Sequence, residues 1–274
     1  MNPIDALFAE LKKAGRKAFM PFITAGDPDL AATVETICAL ADAGADLVEI
    51  GFPYSDPIAD GPVIQASYTR ALEKGLKVQD IFLATAQARA RLDNKGKALP
   101  FVAMVSASIL HRFGQAAFYL QAKNSGFSGL IVPDLPAEES ANIASALKIQ
   151  GLHLVQLVTP NTPRERARQI VQASSGFVYC VSVSGITGER DMIPAQLISQ
   201  LQWLREETRL PLCVGFGVSK PAHAALLRQH VDGVIVGSAL VRLLAPDGQR
   251  TLIQSLQEIK LLSRGIRSAL DLPS

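Results

Sequence analysis

The sequence has few cysteines and no segment suited to a membrane or to export. Its three cysteines, Cys38, Cys180 and Cys213, are far apart and lie among apolar residues. This pattern excludes a disulfide framework and a zinc or redox motif, and it indicates free thiols in a reducing compartment. No apolar run reaches membrane-spanning length, and the amphipathic segment from Met1 to Arg16 lacks the apolar core of a secretory signal. We therefore expect a cytoplasmic protein.

The chain also lacks an excess of one charge. Its 27 Lys and Arg residues nearly balance its 25 Asp and Glu residues, for a formal net charge of +2, and they form no basic run. Nucleic acids and anionic membranes are therefore poor candidates for partners. Neither the Gly-x-Gly-x-x-Gly fingerprint nor a P-loop follows the first strand-like run, which argues against the common nucleotide-binding folds.

Short apolar runs alternate with amphipathic segments from one end of the chain to the other. The composition, 48% hydrophobic with 20 glycines, is that of a compact globular protein. Most of the apolar runs are hydrophobic on both faces, as in a parallel sheet covered on both sides. The predicted strands are Phe19–Thr24, Leu47–Ile50, Pro100–Val105, Gly129–Val132, His153–Val158, Phe177–Val181, Pro211–Gly215 and Gly233–Val236.

Eight strand–helix units in roughly 250 residues predict an α/β fold, a single (β/α)8 TIM barrel. We expect one domain over residues 1–274, because no Pro-, Gly- or Ser-rich linker divides it. An extra N-terminal helix, a short helix at Ser238–Val241 after the eighth strand and a last helix at Gln249–Leu262 complete the prediction. A doubly wound open sheet is the alternative, but it would rarely reach eight strands without a nucleotide fingerprint.

Three carboxylates lie at the end of the second predicted strand and on the loop that follows it. Glu49 lies at the strand end among apolar neighbours, and a loop with three prolines then brings Asp56 and Asp60. Active sites of such barrels lie at the C-terminal ends of the strands. Desolvation there is expected to raise the pKa of Glu49 towards neutrality, as a group that both gives and takes protons requires. The alternative is a surface loop with solvated acids, which is the commoner fate of a loop aspartate.

Other groups able to carry the chemistry are missing from the predicted strand ends. No lysine ends a strand, which disfavours a Schiff-base mechanism. The four histidines fall in a loop, a strand and a helix without the spacing of metal ligands; they are His111, His153, His223 and His230. We therefore expect carboxylates to carry the proton transfers, with no metal.

Glycines cluster after the last three predicted strands. They are Gly188, Gly215, Gly217 and Gly237, and the last is followed by Ser238. Barrels commonly bind phosphate at these strand ends through backbone N–H groups and the N-terminus of a short helix. Turns also need glycine, but three such loops on adjacent strand ends favour a phosphate site. Backbone amides suffice for it, so no Lys or Arg is required.

Four other residues admit structural roles. Asp134, between two prolines, is more simply a cap or brace of a turn than a catalytic group, and Trp203 packs on a predicted helix. Phe22 and Tyr179, near strand ends, either fill the barrel or form the walls of a pocket for a flat aromatic substrate.

The strand ends together carry the motifs of a known family. The motifs are Phe22–Pro28, Glu49–Pro62, Val132–Pro136, Ser184–Gly188, Gly215–Ser219 and Val236–Ala239. In this order, and over nearly the whole chain, the sequence resembles the alpha subunits of tryptophan synthase. The stretch Glu49–Pro62 is close to diagnostic, whereas the glycine loops are shared with other phosphate-binding barrels.

The resemblance implies a carbon–carbon lyase, which cleaves indole-3-glycerol phosphate to indole and glyceraldehyde 3-phosphate by a retro-aldol reaction. It implies that Glu49 is the general acid and base and that Asp60 holds the indole N–H. The other implied contacts form the indole pocket (Phe22, Ile64, Tyr179), the phosphate site (Gly188, Gly215, Phe216, Gly217, Gly237, Ser238) and a lid residue that closes against Asp60 (Thr187).

The resemblance also implies a partner. The alpha subunits pair with a beta subunit in an alpha2-beta2 heterotetramer, and pyridoxal phosphate is expected only in that partner. The loops after the second and third strands would form part of the interface, and indole would pass directly to the beta subunit.

One departure from the family pattern falls after the third predicted strand. The family usually has Met-x-Tyr-x-Asn-Pro, whereas this chain has Ser106, Ser108 and Ile109 in place of the Tyr, Asn and Pro. We expect either a roomier indole pocket or compensation by another side chain, with Phe113 as the candidate.

Three alternative functions accompany this interpretation. The first is a stand-alone indole-3-glycerol-phosphate lyase with the same residues. The second is a non-catalytic activator of a beta subunit, which the presence of both Glu49 and Asp60 disfavours. The third and weakest is a phosphosugar epimerase or isomerase, which would share the phosphate loops but not the loop that ends at Pro62.

Overall fold

The strands of the computed structural model close into a barrel. The model describes residues 1–57, 60–135, 137–182, 193–215, 217–246 and 248–272. Its strands are β1 (Ala18–Thr24), β2 (Val48–Gly51), β3 (Phe101–Met104), β4 (Phe127–Ile131), β5 (His153–Val158), β6 (Val178–Val181), β7 (Leu212–Gly215) and β8 (Gly233–Val236). Each strand pairs in parallel with the next, and β8 pairs with β1. The predicted TIM barrel is confirmed, and the open-sheet alternative is wrong.

Helices follow the strands and cover the outside of the barrel. They are α1 (Pro3–Lys13), α2 (Leu30–Asp42), α3 (Pro62–Glu73), α4 (Val78–Asp93), α5 (Ala107–Phe113), α6 (Gln115–Asn124), α7 (Ala137–Ile149), α8 (Arg164–Ala173), α9 (Ala195–Glu207), α10 (Pro221–Leu227), α11 (Ser238–Leu244) and α12 (Leu252–Leu270). The extra N-terminal helix and the short helix after the last strand are confirmed as α1 and α11. None of the described helices is both long and apolar enough to span a membrane. That residues 1–274 form a single domain stays a prediction.

Two helices differ from the expectation. The last helix begins at Leu252 and runs to Leu270, so the predicted range Gln249–Leu262 is wrong at both ends. Thr251 caps it through a reciprocal capping box with Gln254, which fixes the start. Helix α5 was not expected, and it places His111 in a helix rather than in a loop. Ser106 starts this helix by accepting a hydrogen bond from the N–H of Ser108.

The buried apolar residues form two layers on either side of the strands. The inner core fills the barrel with side chains from alternate strand positions, such as Met20, Val102 and Val155. Helix α1 closes its N-terminal end, where the Phe8 ring lies 5.9 Å from the ring of Phe177. The outer core lies between strands and helices. The N-terminal end is therefore sealed, and only the C-terminal mouth can admit a substrate.

A buried ion-pair network ties the last helix to the start of the barrel. The Arg267 guanidinium lies 2.6 Å from a carboxylate oxygen of Asp46 and 2.7 Å from one of Asp271, and its side chain is only 9% exposed. Asp46 also accepts a hydrogen bond from the N–H of Phe19, the second residue of β1. One arginine thus joins α12, the loop before β2 and the edge of β1.

Replacement of this arginine is expected to destabilise the fold strongly. Arg267→Met leaves the mostly buried carboxylate of Asp46 without its cation, whereas Asp271 keeps an ion pair with Arg16. Breaking a buried pair in this way costs about 3 kcal/mol in the free energy of unfolding, measured by urea denaturation. The matched control is Arg91→Met, because the Arg91–Glu35 pair is about half exposed on both sides. Equal stability losses in the two variants would contradict the role given to Arg267.

Candidate active site

A cavity of about 440 Å³ opens at the C-terminal mouth of the barrel. The strand ends, the start of α3 and the start of α11 form its walls. Its lining residues are Phe22, Glu49, Asp60, Gly61, Pro62, Val63, Ile64, Met104, Tyr179, Gly217, Ile235, Gly237, Ser238 and Arg242. The cavity thus brings together most of the described residues that the sequence singled out.

Glu49 is the buried acid of this cavity. It lies on β2 between Phe22 of β1 and Val102 of β3, which are its partners in the parallel sheet. The residue is 1% exposed, and neither carboxylate oxygen has a hydrogen-bond partner among the described residues. Burial, with a smaller contribution from the charge of Asp60, raises the pKa of Glu49 to about 8. The predicted shift towards neutrality is confirmed in direction, and its cause is desolvation.

Asp60 lies nearer to solvent on a braced loop. The side-chain amide of Gln65 donates to the backbone carbonyls of both Asp60 and Pro57, at 2.7 Å and 3.2 Å. Gly61 and Pro62 then begin α3, with proline in the first helical turn, where its missing N–H costs no hydrogen bond. Burial raises the pKa of Asp60 to about 6. The loop therefore holds this carboxylate at the edge of the cavity rather than free in solvent.

The two carboxylates differ in charge at neutral pH. With pKa values of about 8 and about 6, Glu49 is mostly protonated and Asp60 mostly ionised at pH 7. A pair of acids whose environments separate their pKa values can divide the roles of proton donor and charge stabiliser. The cavity thus offers one proton and one negative charge.

Apolar side chains form the part of the cavity around the two acids. Phe22, Ile64 and Tyr179 line it as expected, and Met104 of β3 joins them. Gly51 makes the packing possible, because a Cβ atom there would lie 2.6 Å from the ring of Phe22. These surfaces exclude water from Glu49 and suit a flat aromatic group.

Gly215 has a similar spacing role next to Tyr179. A Cβ atom on Gly215 would lie 2.6 Å from the Tyr179 ring carbon that carries the hydroxyl. Gly215 is not among the described residues that line the cavity. Gly215, at the end of β7, therefore leaves the space in which the Tyr179 ring packs, and it does not itself line the cavity.

The cavity also has a glycine-rich side. Gly217, with a φ of +91° that favours glycine, and Gly237 with Ser238 line this side. Helix α11 begins at Ser238, and the first N–H groups of a helix have no partner within it. Thr187, Gly188 and Phe216 lie outside the described residues. Of the described residues predicted to bind phosphate, Gly217, Gly237 and Ser238 thus line the cavity, and Gly215 does not.

Arg242 also lines this side, and sequence reasoning missed it. It follows Ser238 by four residues on α11, so the two side chains share one helix face. The four-residue spacing between Ser238 and Arg242 is the sequence feature that could have identified Arg242. No cationic residue was expected there, because backbone amides alone can satisfy a phosphate.

At the end of β3, Phe113 does not replace the aromatic side chain that the family pattern has and this chain lacks. Asp134 accepts hydrogen bonds from the Ser106 hydroxyl at 2.7 Å and from the Ala107 N–H at 2.8 Å. It therefore braces the start of α5, as predicted. Phe113 packs against Phe82 and Phe118 in the outer core. The hypothesis that Phe113 replaces the missing aromatic wall is wrong, because α5 directs that ring away from the barrel mouth.

The buried acid is expected to make stability fall with rising pH. The pKa of Glu49 in the folded chain, about 8, is above its ordinary value of 4.5. The stability that Glu49 contributes to the folded chain is therefore fully present below pH 4.5. It is lost as the pH rises through about 8, and the free energy of unfolding falls by up to about 1.4 kcal/mol per pH unit. Glu49→Gln removes this dependence and is more stable than the native chain at pH 9. Urea unfolding at pH 5, 7 and 9 measures it.

The control for this stability experiment is Glu73→Gln, because Glu73 is exposed on α3. This variant is expected to keep the pH dependence of the native chain. The same slope of stability against pH in the native chain and in Glu49→Gln would refute the buried, mostly protonated state.

Comparisons with known proteins show the family of the chain. A family model described as tryptophan synthase alpha chain matches residues 8–270. The alpha chain of Rhodopirellula baltica is 51% identical over 245 residues, which cover 89% of this chain and 87% of that relative. The alpha chain of a Thermoanaerobacter species is 42% identical over 270 residues, with 98% and 100% covered.

Solved structures give the same result. The crystal structure of the tryptophan synthase alpha chain of Legionella pneumophila matches with a TM-score of 0.87 and 33% identity, covering 99% of this chain and 98% of that one. A structure of Mycobacterium tuberculosis tryptophan synthase matches with a TM-score of 0.86 and 32% identity, with 98% of each chain covered. The chain therefore belongs to the tryptophan synthase alpha chain family, and it is a lyase of tryptophan biosynthesis.

Proposed function

We propose that this chain cleaves indole-3-glycerol phosphate to indole and glyceraldehyde 3-phosphate, with Glu49 as the general acid and base. The observation that carries the proposal is the Glu49 carboxylate, which is buried, lacks a hydrogen-bond partner among the described residues and has a pKa raised to about 8. It lines the same cavity as the glycines at the mouth of β7 and β8. One cavity thus holds a proton donor and a site for a phosphate.

The reaction moves one proton from the substrate's side-chain hydroxyl to carbon C3 of the indole ring. Protonated Glu49 gives its proton to C3, and the ring becomes an indolenine-like cation. The resulting carboxylate then takes the hydroxyl proton as the bond between C3 and the hydroxyl-bearing carbon breaks, and the bonding electrons return to the ring. Glu49 ends the cycle protonated, as it began, so a pKa above neutrality fits both steps.

Asp60 is proposed to hold the ring N–H. Its carboxylate is mostly ionised at pH 7 and lies on the same cavity as Glu49. A negative charge next to the ring nitrogen stabilises the positive charge that develops there when C3 is protonated. Phe22, Ile64 and Tyr179 would flank the flat ring.

The phosphate is proposed to bind at the glycine-rich side of the cavity. Gly217, Gly237 and Ser238 supply backbone groups there, and the N-terminal end of α11 favours an anion. The exposed guanidinium of Arg242 adds a positive charge on the same helix face. The roles that the family resemblance implies for Thr187 in the lid and for Gly188 and Phe216 in the phosphate site stay predictions. Gly215 is proposed to act indirectly, through the position of Tyr179.

The proposal is tested by an indole-release assay on indole-3-glycerol phosphate. Glu49→Gln is expected to lower kcat by at least ~100-fold, because the amide cannot transfer a proton. Asp60→Asn is expected to lower kcat as well, since it removes the charge that faces the ring nitrogen. Glu73→Gln is the matched control and should behave as the native chain. An unchanged rate in Glu49→Gln would exclude it as the acid and base.

A second test addresses Arg242. Arg242→Gln is expected to raise KM for the phosphorylated substrate about fivefold with a smaller change in kcat, because an exposed charge binds the substrate and the transition state alike. The difference from the native chain should shrink at high salt. Arg209→Gln, on the exposed segment before β7, is the control. A KM equal to that of the native chain at low salt would show that the backbone amides suffice.

We further propose a beta subunit as partner, in an alpha2-beta2 assembly, with pyridoxal phosphate bound only by that subunit and with both chains in the cytoplasm. The family assignment supports this over a stand-alone lyase or a non-catalytic activator. The indole-release assay with and without a beta chain separates these functions. Large activation supports the proposed assembly, and full activity of the chain alone would favour the stand-alone lyase.

A further inference from the structure

A buried tyrosine of α3 lies directly behind the wall of the catalytic cavity. Tyr68 is 1% exposed and belongs to the inner core together with Phe22 and Ile64, which line the cavity. Its ring lies 5.6 Å from the ring of Tyr54. The Tyr68 hydroxyl has no hydrogen-bond partner among the described residues. Because an unpaired buried hydroxyl costs free energy, an acceptor that reaches it would be favourable.

The end of β2 fixes the place of this hydroxyl. A Cβ atom on Gly51 would lie 2.7 Å from the Tyr68 hydroxyl oxygen and 2.6 Å from the tip of the Phe22 ring. Alternate residues of a strand face the same side, so Gly51 and Glu49 both face the barrel interior. Gly51 is the last residue of β2 and is followed by the loop that leads to Asp60. The hydroxyl therefore lies on the mouth side of Glu49, where this loop begins.

The end of the same loop lies on the side towards which Tyr68 leans. Helix α3 begins at Pro62, two residues after Asp60. Aromatic side chains of a helix lean back towards its N-terminus, so the Tyr68 ring is directed from α3 towards Asp60. Burial is the largest cause that raises the pKa of Tyr68, and the charge of Asp60 is the next. Of the two acids, Asp60 is thus the one that acts more strongly on this hydroxyl.

The Asp60 carboxylate lacks a donor that would favour its charged form. Burial alone shifts its pKa, to about 6. Near that pH Glu49 and the tyrosines are neutral, and the arginines are exposed, so that solvent and salt screen their charges. The titratable or charged groups that share a cavity with Asp60 or respond to its charge, besides Tyr68, are Glu49 on β2, Tyr54 on the loop, Tyr179 on β6, Arg166 on α8 and Arg242 on α11.

We propose that Tyr68 is a positioning residue, whose hydroxyl donates a hydrogen bond to the ionised carboxylate of Asp60 and leaves the other carboxylate oxygen for the ring N–H of the substrate. The contact with the ring N–H rests on the proposed function. The phenol proton turns about its C–O bond to face an acceptor, and the hydrogen bond forms as Asp60 ionises. A hydrogen bond to the charged form of an acid favours that form, so Tyr68 keeps Asp60 ionised at a lower pH than burial alone allows.

The experiment is the pH dependence of kcat/KM for indole release, from pH 5 to pH 8.5, in the native chain and in Tyr68→Phe. The variant loses the hydroxyl and keeps the ring that packs on Tyr54. Activity requires ionised Asp60 and therefore rises with pH through the pKa of that group in the free chain. Loss of one hydrogen bond to a charged group is expected to move this acidic limb up by about one pH unit. The value of kcat/KM then falls about tenfold at pH 5 and stays close to that of the native chain at pH 8.

The matched control is Tyr119→Phe. Tyr119 of α6 is 2% exposed, and its hydroxyl also has no partner among the described residues. Removal of this second unpaired hydroxyl makes the same chemical change in the outer core, away from the acids. Tyr119→Phe should therefore keep the native pH profile.

Urea unfolding tests the same hydrogen bond without substrate. The folded-state pKa of Asp60 is above its ordinary value of 3.8, so the stability it contributes is present below pH 3.8 and is lost as the pH rises through the folded pKa. A higher folded pKa in Tyr68→Phe makes this loss larger. Relative to the native chain, the unfolding equilibrium constant of Tyr68→Phe should rise about tenfold between pH 4 and pH 8. In the Asp60→Asn background the same substitution should cause no such rise.

Three outcomes would overturn the proposal: an acidic limb that stays in place in Tyr68→Phe, an equal shift in Tyr119→Phe, or a rise in the unfolding constant that persists in the Asp60→Asn background. A shift of the basic limb alone would assign the hydroxyl to Glu49 and would also overturn it. Failure of the proposed function is distinguishable, because the native chain would then release no indole while the unfolding experiment still reports on the bond between Tyr68 and Asp60.

Discussion

The burial of one carboxylic acid inside a closed parallel barrel governs the rest of this site. Closure leaves no sheet edge, so every second residue of a strand near the mouth faces the interior. Glu49 occupies such a position, between strands whose inward residues are apolar. Its charge has no bulk water and no described hydrogen-bond donor to stabilise it, and the neutral acid is favoured. The fold itself therefore makes the proton donor.

The different depths of the two acids follow from the elements that carry them. The strand register fixes the backbone of Glu49 within the barrel wall, and its side chain is buried. Asp60 is fixed only by its loop and by the start of α3, so it stays nearer to water and its pKa is raised less. Two like charges in one cavity would repel each other, and the difference in burial removes that conflict because only one is ionised near pH 7.

Much of the fold was predictable because it depends on local pattern. Short apolar runs that are hydrophobic on both faces marked the strands, and Glu49 at a strand end marked the cavity. The expectations failed where a single contact decides the structure. Ser106 caps an unexpected helix, α5, and this helix turns Phe113 into the outer core. No sequence pattern reveals where that ring points.

Arg242 escaped prediction for a related reason. It lies on a helix of seven residues, too short for its periodicity to identify a face, and the cavity lining shows that it reaches the site.

Unpaired buried polar groups are costly, and one of them lies where the substrate is proposed to bind. Neither carboxylate oxygen of Glu49 has a hydrogen-bond partner among the described residues, and Glu49 borders the cavity. Elsewhere the buried charge of Arg267 is matched by two carboxylates that join the chain's last helix to its first strand. An unpaired buried polar group persists only when the surrounding structure is stable enough to offset its cost. The ion pairs and the sealed N-terminal end therefore serve the site indirectly, because they offset the cost of leaving its polar groups free for a ligand.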